Sequence, residues 1–456
     1  MAKVISVDFN NMMADRIGEN GISQKDIDEY MPLLSKTAKE LEENKEKDTW
    51  RLLPENAAPI IENIKECANW VRSNFDYYVV LGIGASALAP IFIQRALGHL
   101  HYNELPKEKR NGPKIYIEDN IDPERMSSLL DVIDLEKTCF NVISKTGTTT
   151  ETSSQMLVVT GALKKAGLSI KDHLIVTSDE HVGSMLKISQ TEGTRFFSIP
   201  SEIQGRFVNF TPICFLPLAA AGFDIDSFVK GAKDFEDECT SDVFKNVAYA
   251  DAAMQFLAYK KGAQSTIIMP YAESLKFFAD VYTIMWGESL SSKDIKGQIP
   301  IKALGVTDFH SQLQLYLQSP LDKVLTMVCL KKYPVNVEIP KDTLEYIADM
   351  DYLRGGTMEK LIKAESFSNG YALAKEGCKN KTILLEEMNA YTAGALLEML
   401  QLETLYLGKL MGVDVYNCPA YDNTKGMTSA IFNRRGYDEY IEKYKNLEAP
   451  NKNYIV

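Results

Sequence analysis

The sequence predicts an α/β protein of two domains, each a mostly parallel sheet layered between helices, with a helical lead-in and further helices at the C-terminus. Three observations carry that expectation. A chain of 456 residues is too long for one ordinary core. Short, β-rich, nearly all-apolar runs alternate with helix-length segments. The same alternation resumes in the second half. The expected division is a helical N-terminal extension over 1–55, a first domain over 56–240, and a second domain with the C-terminal helices over 241–456.

In chain order, Gln24 to Glu46 reads as a charged helix, and DTWRLLPE at Asp48 to Glu55 as an ordered lead-in. YYVVLG at Tyr77 to Gly82, KIYI at Lys114 to Ile117, CFNVIS at Cys139 to Ser144 and HLIVTS at His173 to Ser178 read as strands. Between the last two, Glu151 to Ala166 has apolar positions at helical spacing and stops at Gly167. The second half offers strands at Ser265 to Pro270 and Val324 to Leu330, a helix over Ala272 to Ser289, a long helix over Leu384 to Lys409, and an amphipathic one over Tyr437 to Leu447.

Composition narrows the function classes. Lys and Arg number 50 against 62 Asp and Glu, a net charge of −12, which argues against broad binding to a nucleic-acid backbone. Any bound phosphate is expected to be small. The seven cysteines have no CxxC pair and no zinc-ligand spacing, so they read as reduced thiols. Acidic residues interrupt the N-terminal stretch where a secretory signal needs an apolar run, and the most apolar segment, Ile213 to Phe223, is far short of a bilayer span. The expectation is a cytoplasmic protein without a membrane partner.

Two loops stand where strands hand over to helices. LGIGASALAP, Leu81 to Pro90, offers backbone amides and Ser86 to an anion at a helix N-terminus; it fails as GxGxxG and also reads as a plain tight turn. ISKTGTTTET, Ile143 to Thr152, crowds one serine and five threonines around Lys145 and Gly147. Thr148 with Glu151 matches a capping box, but the hydroxyls exceed what one cap uses. Neutral donors with one lysine suit a phosphate dianion, and the spacing is not that of a nucleotide P-loop. A phosphorylated small metabolite fits this loop better than ATP. Elsewhere, Arg206 in GRFVNFTP, Glu288 in MWGESL, His310 in VTDFHSQLQ and Lys425 in YDNTKG each read, taken singly, as ordinary structural or surface residues.

Taken in order, GIGAS, SKTGTTTET, GRFxxxTP, the GES glutamate, TDxHS and the late lysine resemble the motifs of the glucose-6-phosphate isomerase (phosphoglucose isomerase) family, over Val79 to Lys425. WGESLSSKDIKGQIPIKALGVTDFHSQLQLYLQSP is similar to its bacterial branch. The resemblance implies two sugar-isomerase (SIS) domains, each an αβα sandwich, and interconversion of glucose 6-phosphate and fructose 6-phosphate. It implies Glu288 as the base, Arg206 as the stabiliser of an enediolate, and His310 with Lys425 as the ring-opening pair. Ser86, Ser144, Lys145, Thr146, Thr149 and the amide of Ala85 fall at the phosphate and sugar contacts, and no metal or organic cofactor is implied.

The chain departs from the family pattern at Ala85, where glycine is usual, at Ile284 and Cys418, where glutamines are usual, and at Asp422, where glutamate is usual. These changes bear on substrate contacts and sugar choice, including whether mannose 6-phosphate is accepted. The family's histidine comes from the neighbouring subunit, so the resemblance also implies a homodimer with His310 donated across the interface.

Overall fold

A computed structural model describes residues 4–418, 420–445 and 450–456, apart from the side chains of 421–423 and 444. Among the described residues, ten strands form two five-stranded sheets. In chain order they are β1 (Ile5–Asp8), β2 (Tyr77–Leu81), β3 (Lys114–Glu118), β4 (Thr138–Ser144), β5 (Leu174–Ser178), β6 (Arg195–Ser198), β7 (Ser265–Pro270), β8 (Ile299–Lys302), β9 (Lys323–Leu330) and β10 (Asn380–Leu385). The first sheet runs β3-β2-β4-β5-β6, parallel throughout. The second runs β1-β10-β9-β7-β8, parallel except for β1. Strands β2, β4 and β5 are buried along nearly their whole length, as a parallel sheet covered by helices on both faces requires. The expected α/β architecture of two mostly parallel layered sheets is present.

The chain leaves β2 for β3 on one side and returns to β4 on the other, so the first sheet changes direction between β2 and β4. That switch opens a crevice at the carboxyl ends of the two strands, the place where open α/β sheets bind ligands. The helix Pro212–Ala220 is buried on all sides, and the helix Ala390–Met411 on nearly all, so the two halves share one continuous core.

Three sequence expectations need correction. Residues 1–55 are not wholly helical: Ile5–Asp8 pairs antiparallel with β10 and closes an edge of the second sheet. A four-residue strand carries too little periodicity to register beside the charged helix Gln24–Glu43. The expected helix from Leu384 begins only at Ala390, capped by the Asn389 side chain, because KTILL before it belongs to β10. Continuous hydrophobicity hid that boundary, since period alone cannot separate a buried strand from a buried helix. Ala272 to Ser289 is a short 3-10 turn, Glu273–Leu275, followed by the helix Phe278–Ser289.

Candidate active site

Both sequence-flagged loops leave the switch point. After β2, Gly84 at φ +59° turns the chain into the helix Ala85–Leu97, which sets the half-buried Ala85 and Ser86 in its first turn. The Ser86 and Ala87 amides donate to the Ile83 and Gly84 carbonyls at 3.3 and 3.0 Å, and the positive end of the helix dipole at this turn suits an anion. After β4, the Ser144 hydroxyl is buried and lies 3.0 Å from Thr149 Oγ1, which lies 3.5 Å from Thr146 Oγ1. The capping box does not form. Thr149, not Thr148, precedes the helix Thr150–Lys165 and makes no side-chain cap bond, while the Thr148 hydroxyl meets Thr146 at 3.3 Å. The hydroxyls are thus held by one another around the loop instead of by the helix end.

Neighbouring loops hold this cradle in shape. A Cβ on Gly183, whose φ is +101°, would sit 2.8 Å from the Thr146 carbonyl oxygen and 2.9 Å from Gly147 Cα, so only glycine lets the two backbones touch. The Lys145 ammonium donates to the Ser201 carbonyl at 2.8 Å, and the Asp179 amide donates to the Lys145 carbonyl at 3.1 Å. Desolvation lowers the Lys145 pKa below the usual lysine range, against the pull of Asp179 and Glu202.

The helix Phe278–Ser289 runs antiparallel along Ala85–Leu97. Phe278 meets Phe92 at one end, with ring centroids 5.5 Å apart, and Ile284 reaches Gly84 at the other, its Cδ1 3.4 Å from where a Cβ on Gly84 would be. Glu288 lies four residues beyond Ile284, hence on the same face of the helix one turn further on. Its carboxylate stands 3.5 Å from Arg206 Nη1, close enough for attraction but outside a tight bidentate pair. The Arg206 guanidinium is buried and held from the other directions. Its Nε donates to Ser289 Oγ at 2.6 Å, Nη2 donates to the Val415 carbonyl, and Nη1 reaches Cys418 Sγ at 3.6 Å. A carboxylate beside a fixed cation is suited to moving a proton while negative charge develops nearby.

The structure therefore brings Arg206 and Glu288 together, and with them two of the four departures, Ile284 on the Gly84 turn and Cys418 on Arg206. His310 is exposed at the start of the helix Phe309–Gln318, and its ring has no hydrogen-bond partner among the described residues. Lys425 is exposed on the helix Tyr421–Ile431. The side chain of Asp422 lies outside the described part. Sequence reasoning missed Ser289, Val415, Asp179, Ser201 and Gly183. Only Ser289 carried a signal, its place directly after the flagged glutamate.

The family profile described as phosphoglucose isomerase matches residues 60–295. A Carboxydothermus hydrogenoformans protein named glucose-6-phosphate isomerase is 40% identical over 446 residues, covering 95% of this chain and 96% of that one. One of the same name from Rubrobacter xylanophilus is 34% identical over 437 residues, covering 95% and 99%. Among solved structures, the hypothetical protein TT0462 from Thermus thermophilus superposes with a TM-score of 0.83 at 28% identity, over 94% of this chain and 99% of that one. A glucose-6-phosphate isomerase from Chlamydia trachomatis shares the fold with a TM-score of 0.72 at 19% identity, over 84% and 76%. With a matched profile over half its length and full-length relatives at this identity, the chain belongs to the phosphoglucose isomerase family.

Proposed function

We propose that this chain interconverts glucose 6-phosphate and fructose 6-phosphate by opening the sugar ring and moving a proton between C2 and C1 through a cis-enediolate. The observation that carries the reading is the Glu288 carboxylate set 3.5 Å from the buried Arg206 guanidinium, one helical turn from the residue that packs on the Gly84 turn. Ser86, Ser144, Lys145, Thr146 and Thr149, with the Ala85 amide, grip the 6-phosphate at the switch point. Glu288 removes and returns the proton, as one carboxylate can for adjacent carbons on one face of an enediolate. Arg206 stabilises the enediolate oxygens. His310 and Lys425 serve ring opening, where a proton must reach the ring oxygen and another must leave the anomeric hydroxyl. Carboxylate-mediated proton transfer beside a guanidinium calls on no metal or cofactor.

In this reading His310 acts in the site of a second copy, supported by its exposure and by Leu315, 63% exposed on the same helix. The test supplies fructose 6-phosphate and couples product formation to a glucose-6-phosphate dehydrogenase. The wild type is expected to turn over, and Glu288→Gln to lose on the order of 10²- to 10⁴-fold in kcat, the worth of a positioned general base. An active Glu288→Gln would overturn the mechanism, and an inactive wild type would favour a sugar-phosphate binding module.

A further inference from the structure

We propose that Ser289 is a positioning residue for this reaction: its hydroxyl fixes the plane of the Arg206 guanidinium so that the Nη1 end alone faces Glu288 and the developing enediolate. The inference rests on the isomerase reading and goes beyond it, because Ser289 touches neither substrate nor reacting proton.

A guanidinium is a rigid plane with one N–H on Nε and two on each Nη, so two anchored points set its orientation. Along one edge, Nε donates to Ser289 Oγ at 2.6 Å and Nη2 donates to the Val415 carbonyl. The remaining end, Nη1, lies 3.5 Å from Glu288 Oε2 and 3.6 Å from Cys418 Sγ. Ser289 is 1% exposed and Arg206 3%, so water is poorly placed to take over the acceptor role. Ser289 also follows Glu288 directly in the last turn of the helix Phe278–Ser289. The base and the anchor of the cation thus ride on adjacent residues, and any shift of that turn moves both together.

The second anchor is itself seated by a close approach. A Cβ on Gly408 would fall 2.0 Å from Val415 Cγ1, so the bare face of the helix Ala390–Met411 admits the Val415 side chain and sets the carbonyl at Nη2. Without Ser289, the guanidinium keeps this one anchor and can rotate about it toward Glu288, which misaligns the cation and draws the base into a closer pair.

The experiment compares Ser289→Ala with wild type in the coupled assay and in arginine Nε–H NMR of ¹⁵N-labelled protein. The expected result is a kcat lowered on the order of 10- to 100-fold with KM within about twofold, since a small misplacement acts mainly on the transition state. A planar hydroxamate mimic of the enediolate should lose affinity by the same factor. In the spectrum, the Arg206 Nε–H, assigned by its loss in Arg206→Lys, should exchange slowly in wild type and fast in Ser289→Ala. A kcat within about threefold of wild type, or unchanged Nε–H exchange, overturns the proposal. Should Ser289→Ala not fold, Ser289→Cys keeps the volume, weakens the acceptor and is read the same way. An inactive wild type whose Nε–H is nonetheless protected by Ser289 would instead overturn the isomerase reading.

Discussion

At the scale of single residues, Lys145, in the proposed reading part of the phosphate grip, makes that grip depend on pH. Burial lowers its pKa below the ordinary lysine range, while Asp179 and Glu202 oppose the shift. The free protein therefore loses this charge at a lower pH than an exposed lysine does, and a bound dianion favours the charged form and pulls the pKa back up. KM for fructose 6-phosphate is expected to rise as pH climbs through the depressed pKa, and Lys145→Arg should move that limb out of range. Lys145→Met should raise KM at neutral pH on the order of 10- to 100-fold, the worth of one charge-assisted hydrogen bond. A pH profile of KM for the three proteins checks this. Stability has its own sign. Between the depressed and the ordinary pKa the unfolded chain holds more protons than the folded one, so this group makes stability rise with pH across that window.

At the scale of elements, the hydroxyl-rich loop owes its shape to contact with the Gly183 turn. Gly183→Ala would place a Cβ 2.8 Å from the Thr146 carbonyl at a backbone φ of +101°. The expected cost is about 1–3 kcal/mol of stability, and KM for the sugar phosphate should rise more than kcat falls, because the grip is disturbed and the base is not. Gly161, exposed in the middle of the helix Thr150–Lys165 with nothing within 4 Å of its virtual Cβ, is the matched control. Gly161→Ala should stabilise by about 0.4–1 kcal/mol and leave kinetics unchanged. Thermal melts and steady-state rates on the pair separate a contact effect from a general effect of added methyl groups. The legibility of the elements followed the same physics. The fully buried β2, β4 and β5 were plain as apolar runs, whereas the edge strands β6 and β8, RFFS and IPIK, are four residues long and partly exposed, so their sequences carry no clear period.

At the scale of the whole molecule, the position of His310 sets the question. It is exposed at the start of its helix, and in the proposed reading it serves ring opening in the site of a second copy of the chain. Glu288→Gln and His310→Ala chains, each inactive alone, should on dissociation and random reassociation recover about a quarter of wild-type activity, since half the dimers are mixed and each mixed dimer holds one complete site. No recovery with mixed dimers demonstrated by mass spectrometry would count against sharing. The candidate site was only partly readable for a related reason. Glu288, Arg206 and the SKTGTT loop were legible through residue type and motif order, whereas the anchors Val415 and Ser201 work through their backbone carbonyls, with no side-chain chemistry to flag.

The sequence by itself determined the α/β alternation, the loops that follow β2 and β4, and the chemical character of the hydroxyl cradle, because periodicity, propensity and turn chemistry act over a few residues. Tertiary structure alone decided the strand order that puts the switch point between β2 and β4, the pairing of β1 with β10, and the meeting of Gly84 with Ile284 and of Arg206 with Glu288, Ser289, Val415 and Cys418. These contacts close loops of roughly 80 to 380 residues and follow from how two sheets and their helices bury a shared core, which no local pattern encodes.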